Sequence, residues 1–122
     1  MCLAAVACGG SETTTPPSGL VLCSPPMAVT ADVSRGPQFR WTPACGATYM
    51  EVTSADKQQV LWAVRVDTGK IAPGVIYGSS PPASELLFGP LPLVAGTAYL
   101  ARVGIRVQEN SFAIFGEGAF VR

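Results

Sequence analysis

Thr97-Ala98-Tyr99-Leu100-Ala101-Arg102-Val103-Gly104-Ile105-Arg106-Val107-Gln108 is the stretch of the chain with the clearest periodicity. Its apolar set is Tyr99, Ala101, Val103, Ile105 and Val107, and the residues between them include Arg102, Arg106 and Gln108. Successive side chains of a β-strand point to opposite faces of a sheet. The pattern therefore predicts a strand with one face in a hydrophobic core and the other towards solvent.

Other short runs of β-branched and aromatic residues are separated from this strand, and from one another, by turn-forming clusters. They extend from Met27 to Val33, Gln38 to Thr42, Thr48 to Ser54, Gln59 to Val66, Ser84 to Phe88 and Phe112 to Val121. Short strands at such spacing are typical of a sandwich or a barrel. No window of comparable length has a helical period, and residues 72 to 92 are rich in proline. The sequence predicts an all-β, two-sheet antiparallel sandwich of about seven strands.

The composition narrows the classes of function. The 122 residues include 8 acidic and 8 basic side chains and no histidine. A chain of this length fits one domain, and a formal net charge of zero gives no strong field to attract nucleic acid. Histidine is the most common general acid or base and a frequent metal ligand near neutral pH. We therefore expect no enzymatic activity, no cofactor, no metal and no nucleic-acid partner.

Residues that could carry chemistry have simpler interpretations. Ser79-Ser80 is followed by two prolines without a nucleophile-elbow pattern, which favours turn residues. Glu109 and Glu117 could form a carboxylate pair for glycoside hydrolysis, but their positions favour solvated strand faces or a hairpin. Gly116-Glu117-Gly118 interrupts a strand pattern with no helix after it, which favours a β-bulge over a phosphate loop. No catalytic residue is predicted.

The start of the chain differs in character from the rest. Ala5-Val6-Ala7-Cys8 resembles a bacterial lipobox, which implies that Cys8 is lipidated and that residues 1 to 8 are the remnant of a signal peptide. Residues 9 to 24 begin with Gly, Ser, Thr and Pro and are expected to form a flexible tether. The folded domain is expected over residues 25 to 122. The implied location is the cell envelope, or the extracellular space without lipidation, with membrane contact only through the lipid anchor.

Three motifs resemble landmarks of fibronectin type III domains, in the order of that family. They are Phe39-Arg40-Trp41-Thr42-Pro43, then Gly46-Ala47-Thr48-Tyr49-Met50-Glu51-Val52, and Leu93-x-x-Gly96-Thr97-x-Tyr99-x-x-Arg102-Val103. The resemblance implies that Trp41, Leu93 and Tyr99 are core landmarks, with Trp41 between the two sheets. It also implies that Gly96 forms a corner where the Tyr99 hydroxyl bonds to an upstream backbone group. The lipobox, the tether and one such domain together are similar to bacterial envelope lipoproteins.

Two cysteines lie outside the leader. Cys23 precedes the first predicted strand and Cys45 lies in the turn after the second, two places that can meet at one end of a sandwich. In an exported protein a remaining pair of cysteines usually forms a disulfide. Free thiols are an alternative. A metal or redox pair is another, although the chain has no Cys-x-x-Cys motif and no histidine.

Trp62 lies in Val60-Leu61-Trp62-Ala63-Val64-Arg65-Val66, a run that is apolar on both faces up to Arg65. Such strands are either covered on both sides or paired with a partner at a sheet edge. In the first interpretation the segment from 72 to 92 folds over Trp62. In the second, Trp62, Leu61 and Tyr77 form an interaction surface for another protein, a glycan or a second copy of the chain.

These observations give two hypotheses of function. The first is a non-enzymatic binding or spacer module displayed at the bacterial cell surface, with a protein or glycan partner that the sequence does not identify. The alternative is a structural subunit that self-associates through strand edges into an oligomer or a fibre.

Overall fold

The computed structural model describes residues 20 to 108 and 111 to 122. The predicted lipidation site Cys8, the predicted leader, most of the predicted tether and Glu109 lie outside these residues. Within them the chain forms eight strands and no helix. The strands are β1 (Ala28–Asp32), β2 (Gln38–Thr42), β3 (Tyr49–Ser54), β4 (Val60–Val66), β5 (Val75–Ile76), β6 (Ser84–Phe88), β7 (Ala98–Gln108) and β8 (Ser111–Val121).

The strands form two antiparallel sheets. The smaller sheet has the order β1-β2-β5, and the larger has the order β6-β4-β3-β7-β8. The predicted all-β, two-sheet antiparallel sandwich is thus confirmed. The seven predicted strands are all present, and the additional strand is the two-residue β5 within the proline-rich segment from 72 to 92. It pairs with β2, and Phe39 and Val75 lie opposite each other in that pair.

The inner faces of the two sheets form the core. Val29 and Trp41 are paired across β1 and β2, and Trp41 is only 2% exposed. On the larger sheet the register places Met50 of β3 beside Val64 and Val103, all fully or almost fully buried. The core residues of the smaller sheet thus pack against a larger sheet whose inner positions are apolar or aromatic.

The alternation in β7 matches the burial of the first part of the strand. Tyr99, Ala101 and Val103 are buried, whereas Val107, on the same face, is 55% exposed. The reason is length: β7 and β8 have 11 residues each, but no strand of the smaller sheet has more than 5. The end of the β7–β8 hairpin therefore has no opposing strand of the smaller sheet to cover it.

Glycines in β8 allow the two sheets to meet along one side. A Cβ atom at Gly116 would crowd Met27, and one at Gly118 would collide with the carbonyl oxygen of Val29. The register between β7 and β8 shifts next to Gly116, where Val103 pairs with Gly116 and Gly104 with Ile114. The strand irregularity expected around residues 116 to 118 is therefore present. The glycines there serve close approach of the β1 backbone.

The beginning of the domain is fixed by a disulfide and backbone hydrogen bonds. Cys23 and Cys45 are bonded, as predicted, and both are 2% exposed. Gly46 donates to the carbonyl of Val21 and accepts from the backbone N–H of Cys23, at 2.7 and 2.9 Å. Hydrogen-bonded structure thus begins at Val21, within the segment that the sequence assigned to the tether. The Trp41 indole N–H donates to the carbonyl of Cys45 at 2.9 Å, which joins the core to the same turn.

Candidate interaction surface

Trp62, Leu61 and Tyr77 do not form an exposed surface. Trp62 has no exposed area and Leu61 is 5% exposed, while Tyr77 is half-buried and packs against the core. The Trp62 and Tyr77 rings meet edge to face with centroids 5.3 Å apart. β4 also has a strand on each side, β3 and β6. Of the two interpretations that the sequence left open, the structure shows the one in which the segment from 72 to 92 covers Trp62.

The Tyr77 hydroxyl holds this cover in place. It donates to the carbonyl of Leu91 at 2.6 Å, and the backbone N–H of Leu91 donates to the carbonyl of Leu61 at 2.9 Å. Burial raises the pKa of Tyr77 to about 12, so the hydroxyl keeps its proton and remains a donor. The chain before and after β6 is therefore tied to β4, the strand that carries Trp62.

The apolar surface that is exposed next to these residues belongs to β6. Leu86, Leu87 and Phe88 are 54%, 39% and 46% exposed. Leu86 pairs with Val64 and Phe88 with Ala63, so Leu87 is an extra residue between the two pairs. We call Leu86, Leu87 and Phe88 the β6 patch. β6 is the first strand of the larger sheet and pairs only with β4 among the described strands, so its second edge faces outward.

The one charge in β6 is neutralised within the chain. Glu85 accepts from the Arg65 guanidinium at 2.9 Å, directly across the β4–β6 ladder. Edge strands are commonly protected from pairing by lysines, prolines, inward-pointing charges or bulges. β6 has the extra residue at Leu87, but it contains no lysine or proline and its carboxylate is paired. The outer edge of β6 is therefore only partly protected from pairing with another strand.

The outer face of the larger sheet carries a chain of charged groups. Arg102 bonds to the carboxylates of Glu51 at 2.6 Å and Glu117 at 3.2 Å, and Glu117 also contacts Lys57 at 3.5 Å. The Tyr49 hydroxyl donates to Glu51. Burial, and then this hydrogen bond, raises the pKa of Tyr49, so its proton is held on the phenol. Each carboxylate is bound by a guanidinium, an arrangement that stabilises a sheet surface.

A second charged cluster surrounds a surface depression near the end of β7. Asp67 lies 2.9 Å from Arg106 and 3.8 Å from Arg65, and Arg65 also binds Glu85. Val107 and Gln108 complete the lining. Two guanidinium groups here face two carboxylates, so the cluster has no excess charge with which to attract an anionic or cationic ligand.

Three other features bear on function. Within residues 20 to 108 and 111 to 122, no three His, Cys, Asp or Glu side chains lie close enough together to hold a metal ion. Over the same residues the structure contains no helix that could cross a membrane. The buried Cys23–Cys45 bond is consistent with an oxidising, exported compartment.

The β6 patch was not singled out from the sequence, although its signal is present. Ser84–Phe88 was identified as a strand, and it ends in three consecutive apolar residues, Leu86, Leu87 and Phe88. Apolar and polar side chains alternate along a half-buried strand. A run of three apolar residues therefore indicates either that both faces of the strand are buried or that at least one apolar side chain is exposed. Which of the two applies depends on whether β6 lies at an edge, and that is set by long-range strand order.

Comparisons of the chain with models of protein families, with curated proteins and with solved structures found no match for any of the three.

Proposed function

We propose that the chain is a non-enzymatic binding or spacer module displayed at the bacterial cell envelope, built on a fibronectin type III-like sandwich and anchored through a lipid on Cys8. The β6 patch carries this proposal. It is an exposed apolar strand edge beside charged groups that neutralise one another. An exposed apolar patch of this kind is suited to contact with another macromolecule.

The corner before β7 supports the fibronectin-like part of the proposal. The Tyr99 hydroxyl accepts a hydrogen bond of 2.8 Å from the backbone N–H of Val94, five residues upstream. Gly96 lies between them with a φ of 80°, in the left-handed region that favours glycine. Tyr99 itself is 4% exposed and Leu93 packs against the core. The resemblance implied this combination of a glycine corner and a tyrosine hydroxyl bonded to the upstream backbone.

The disulfide supports the part of the proposal that concerns location. A buried Cys23–Cys45 bond is consistent with oxidising conditions, which an envelope protein meets after export. The lipobox resemblance at Ala5-Val6-Ala7-Cys8 and the Thr/Pro-rich residues after it then provide an anchor and a tether.

The experiment compares two substitutions in the leader. We expect Cys8→Ala, expressed in the native host from its own locus, to move the protein from the membrane fraction to the soluble fraction. Cys2→Ala, a matched control in the same apolar stretch, is expected to stay in the membrane fraction. Intact mass should show an acylated N-terminal cysteine in the wild type and in Cys2→Ala, but not in Cys8→Ala. Membrane retention of Cys8→Ala with unchanged mass would contradict the lipid anchor.

The second candidate function is a self-associating structural subunit. The observation in its favour is again the β6 patch, because an apolar strand at the edge of a sheet can pair with another strand.

A further inference from the structure

We propose that the partner of the β6 patch is a second copy of the chain, bound by antiparallel pairing of β6 with β6 across a two-fold axis. The two larger sheets then form one continuous sheet of ten strands. This dimer builds on the proposed interaction role of β6 and specifies the partner.

The first argument is what β6 offers to a strand. Its inner edge is paired with β4, and its outer edge faces away from the sheet. Leu86 is paired with Val64 and Phe88 with Ala63, and these two neighbours in β4 point to opposite faces of the sheet. Apolar side chains of β6 are therefore present on both faces. A strand added here would satisfy backbone groups and cover apolar side chains above and below the sheet.

The second argument is charge. A two-fold axis through Leu86 sets Leu86 opposite its own equivalent, Glu85 opposite the partner's Leu87, and Ser84 opposite the partner's Phe88. The two copies of Glu85 are thus not opposite each other, and each keeps its contact with Arg65 of its own chain at 2.9 Å. Like charges directly opposite would destabilise a strand pair. In this register none are present within β6, so a second copy fits the strand without leaving a charge unpaired.

The third argument is closure. Repeated growth into a fibre would need β6 of one copy to pair with the other edge of the larger sheet, β8. Over residues 116 to 118 a face of β8 packs closely against β1, because a Cβ atom at Gly116 would crowd Met27 and one at Gly118 would collide with the carbonyl oxygen of Val29. Pairing of β6 with β6 uses the same strand from both copies and closes the assembly. Self-pairing through β6 therefore gives a dimer and not a fibre.

The size of the contact sets its strength. β6 has 5 residues, and the extra residue at Leu87 shortens the regular ladder. Standard interfaces use about 20 to 30 residues from each partner. We therefore expect a weak dimer with a Kd on the order of 0.1 mM. Display at a surface raises the local concentration of the protein, and a dimer of this strength becomes populated at such raised concentrations.

The test is sedimentation velocity of the full chain between about 10 μM and 1 mM, a range that brackets the expected Kd. The leader thiols are alkylated so that they cannot cross-link copies. The wild type should change from monomer to dimer over this range. Leu86→Lys places two ammonium groups opposite each other and should raise the Kd at least about tenfold. Val121→Lys is the matched control, because Val121 is 54% exposed, as Leu86 is. It should leave the Kd unchanged.

A charge-swap experiment tests the axis itself. Leu86→Lys and Leu86→Glu should each be monomeric alone, and a 1:1 mixture should form heterodimers because the two side chains meet across the axis. Leu87→Lys is the second variant if either change at residue 86 prevents folding, which circular dichroism monitors. A wild type that stays monomeric up to 1 mM would overturn the dimer, as would equal loss of dimer in Val121→Lys. Neither result affects acylation of Cys8, and loss of acylation does not affect sedimentation, so the two proposals fail separately.

Discussion

Replacing each tryptophan by phenylalanine should have unequal effects, although both indoles are buried. Trp41 is 2% exposed and its indole N–H donates to the carbonyl of Cys45 at 2.9 Å. Trp62 has no exposed area, and its indole N–H has no hydrogen-bond acceptor among the described residues. The two substitutions therefore remove similar volumes from the core but differ in the hydrogen bonding that they change.

The expected magnitudes follow from these contacts. Loss of part of a large aromatic side chain from a packed core costs about 1 to 2 kcal/mol. At Trp41 the change also removes a hydrogen bond and leaves a buried carbonyl without this donor, which adds about 1 to 3 kcal/mol. At Trp62 the change removes a buried donor that has no acceptor, which offsets part of the packing loss. We expect Trp41→Phe to lower the free energy of unfolding by about 2 kcal/mol more than Trp62→Phe.

Urea unfolding measures this difference, and the chain is suited to it. The sequence has 2 tryptophans, so each variant keeps one as a fluorescence probe. With a slope of about 1 to 3 kcal/mol per molar urea, the midpoints should differ by about 1 M. Circular dichroism on the same samples checks that both probes report one transition. If Trp62→Phe is destabilised as much as Trp41→Phe, the indole of Trp62 has an acceptor and the assigned contacts around it fail.

Two further outcomes follow from the structure. Gly118→Ala should lower the free energy of unfolding by about 1 to 3 kcal/mol, since its Cβ meets the β1 backbone, whereas Gly36→Ala, with nothing within 4 Å, should be close to neutral in the same urea assay. Because burial raises the pKa of Tyr77 to about 12 and also raises that of Tyr49, both phenols are more acidic in the unfolded chain. The contribution of the two phenols to the free energy of unfolding should thus be fully present below about pH 10 and be lost as the pH rises towards 12. A urea midpoint that stays constant over this pH range would refute this expectation.

The strand positions could be predicted from the sequence because they depend on local patterns. The alternation in β7 and the turn clusters on either side of β2 fix strand ends to within a residue of those observed. The Cys23–Cys45 pairing was also accessible, since only two cysteines remain outside the leader. These features need only local spacing and the choice of fold class.

The surface could not be predicted in the same way. Trp62 looked like a candidate for docking because its run is apolar on both faces, but the Tyr77 ring, 15 residues further along the chain, packs against it. β5 was missed for a related reason, since two residues are too short to show a period. Burial here depends on which strand lies outside β4, and local pattern does not determine strand order.

The Cys23–Cys45 bond also determines how tension would pass through the molecule. A pull on the chain before Cys23 reaches Cys45 through the sulfur atoms, and from there it enters β3 in the middle of the larger sheet. The disulfide bypasses residues 24 to 44, which include β1 and β2. These residues therefore carry no tension while the bond is intact. An anchor upstream of Cys23 could therefore be stretched without peeling β1 away from β8. After reduction of the bond, the tension would act on β1 before any other strand.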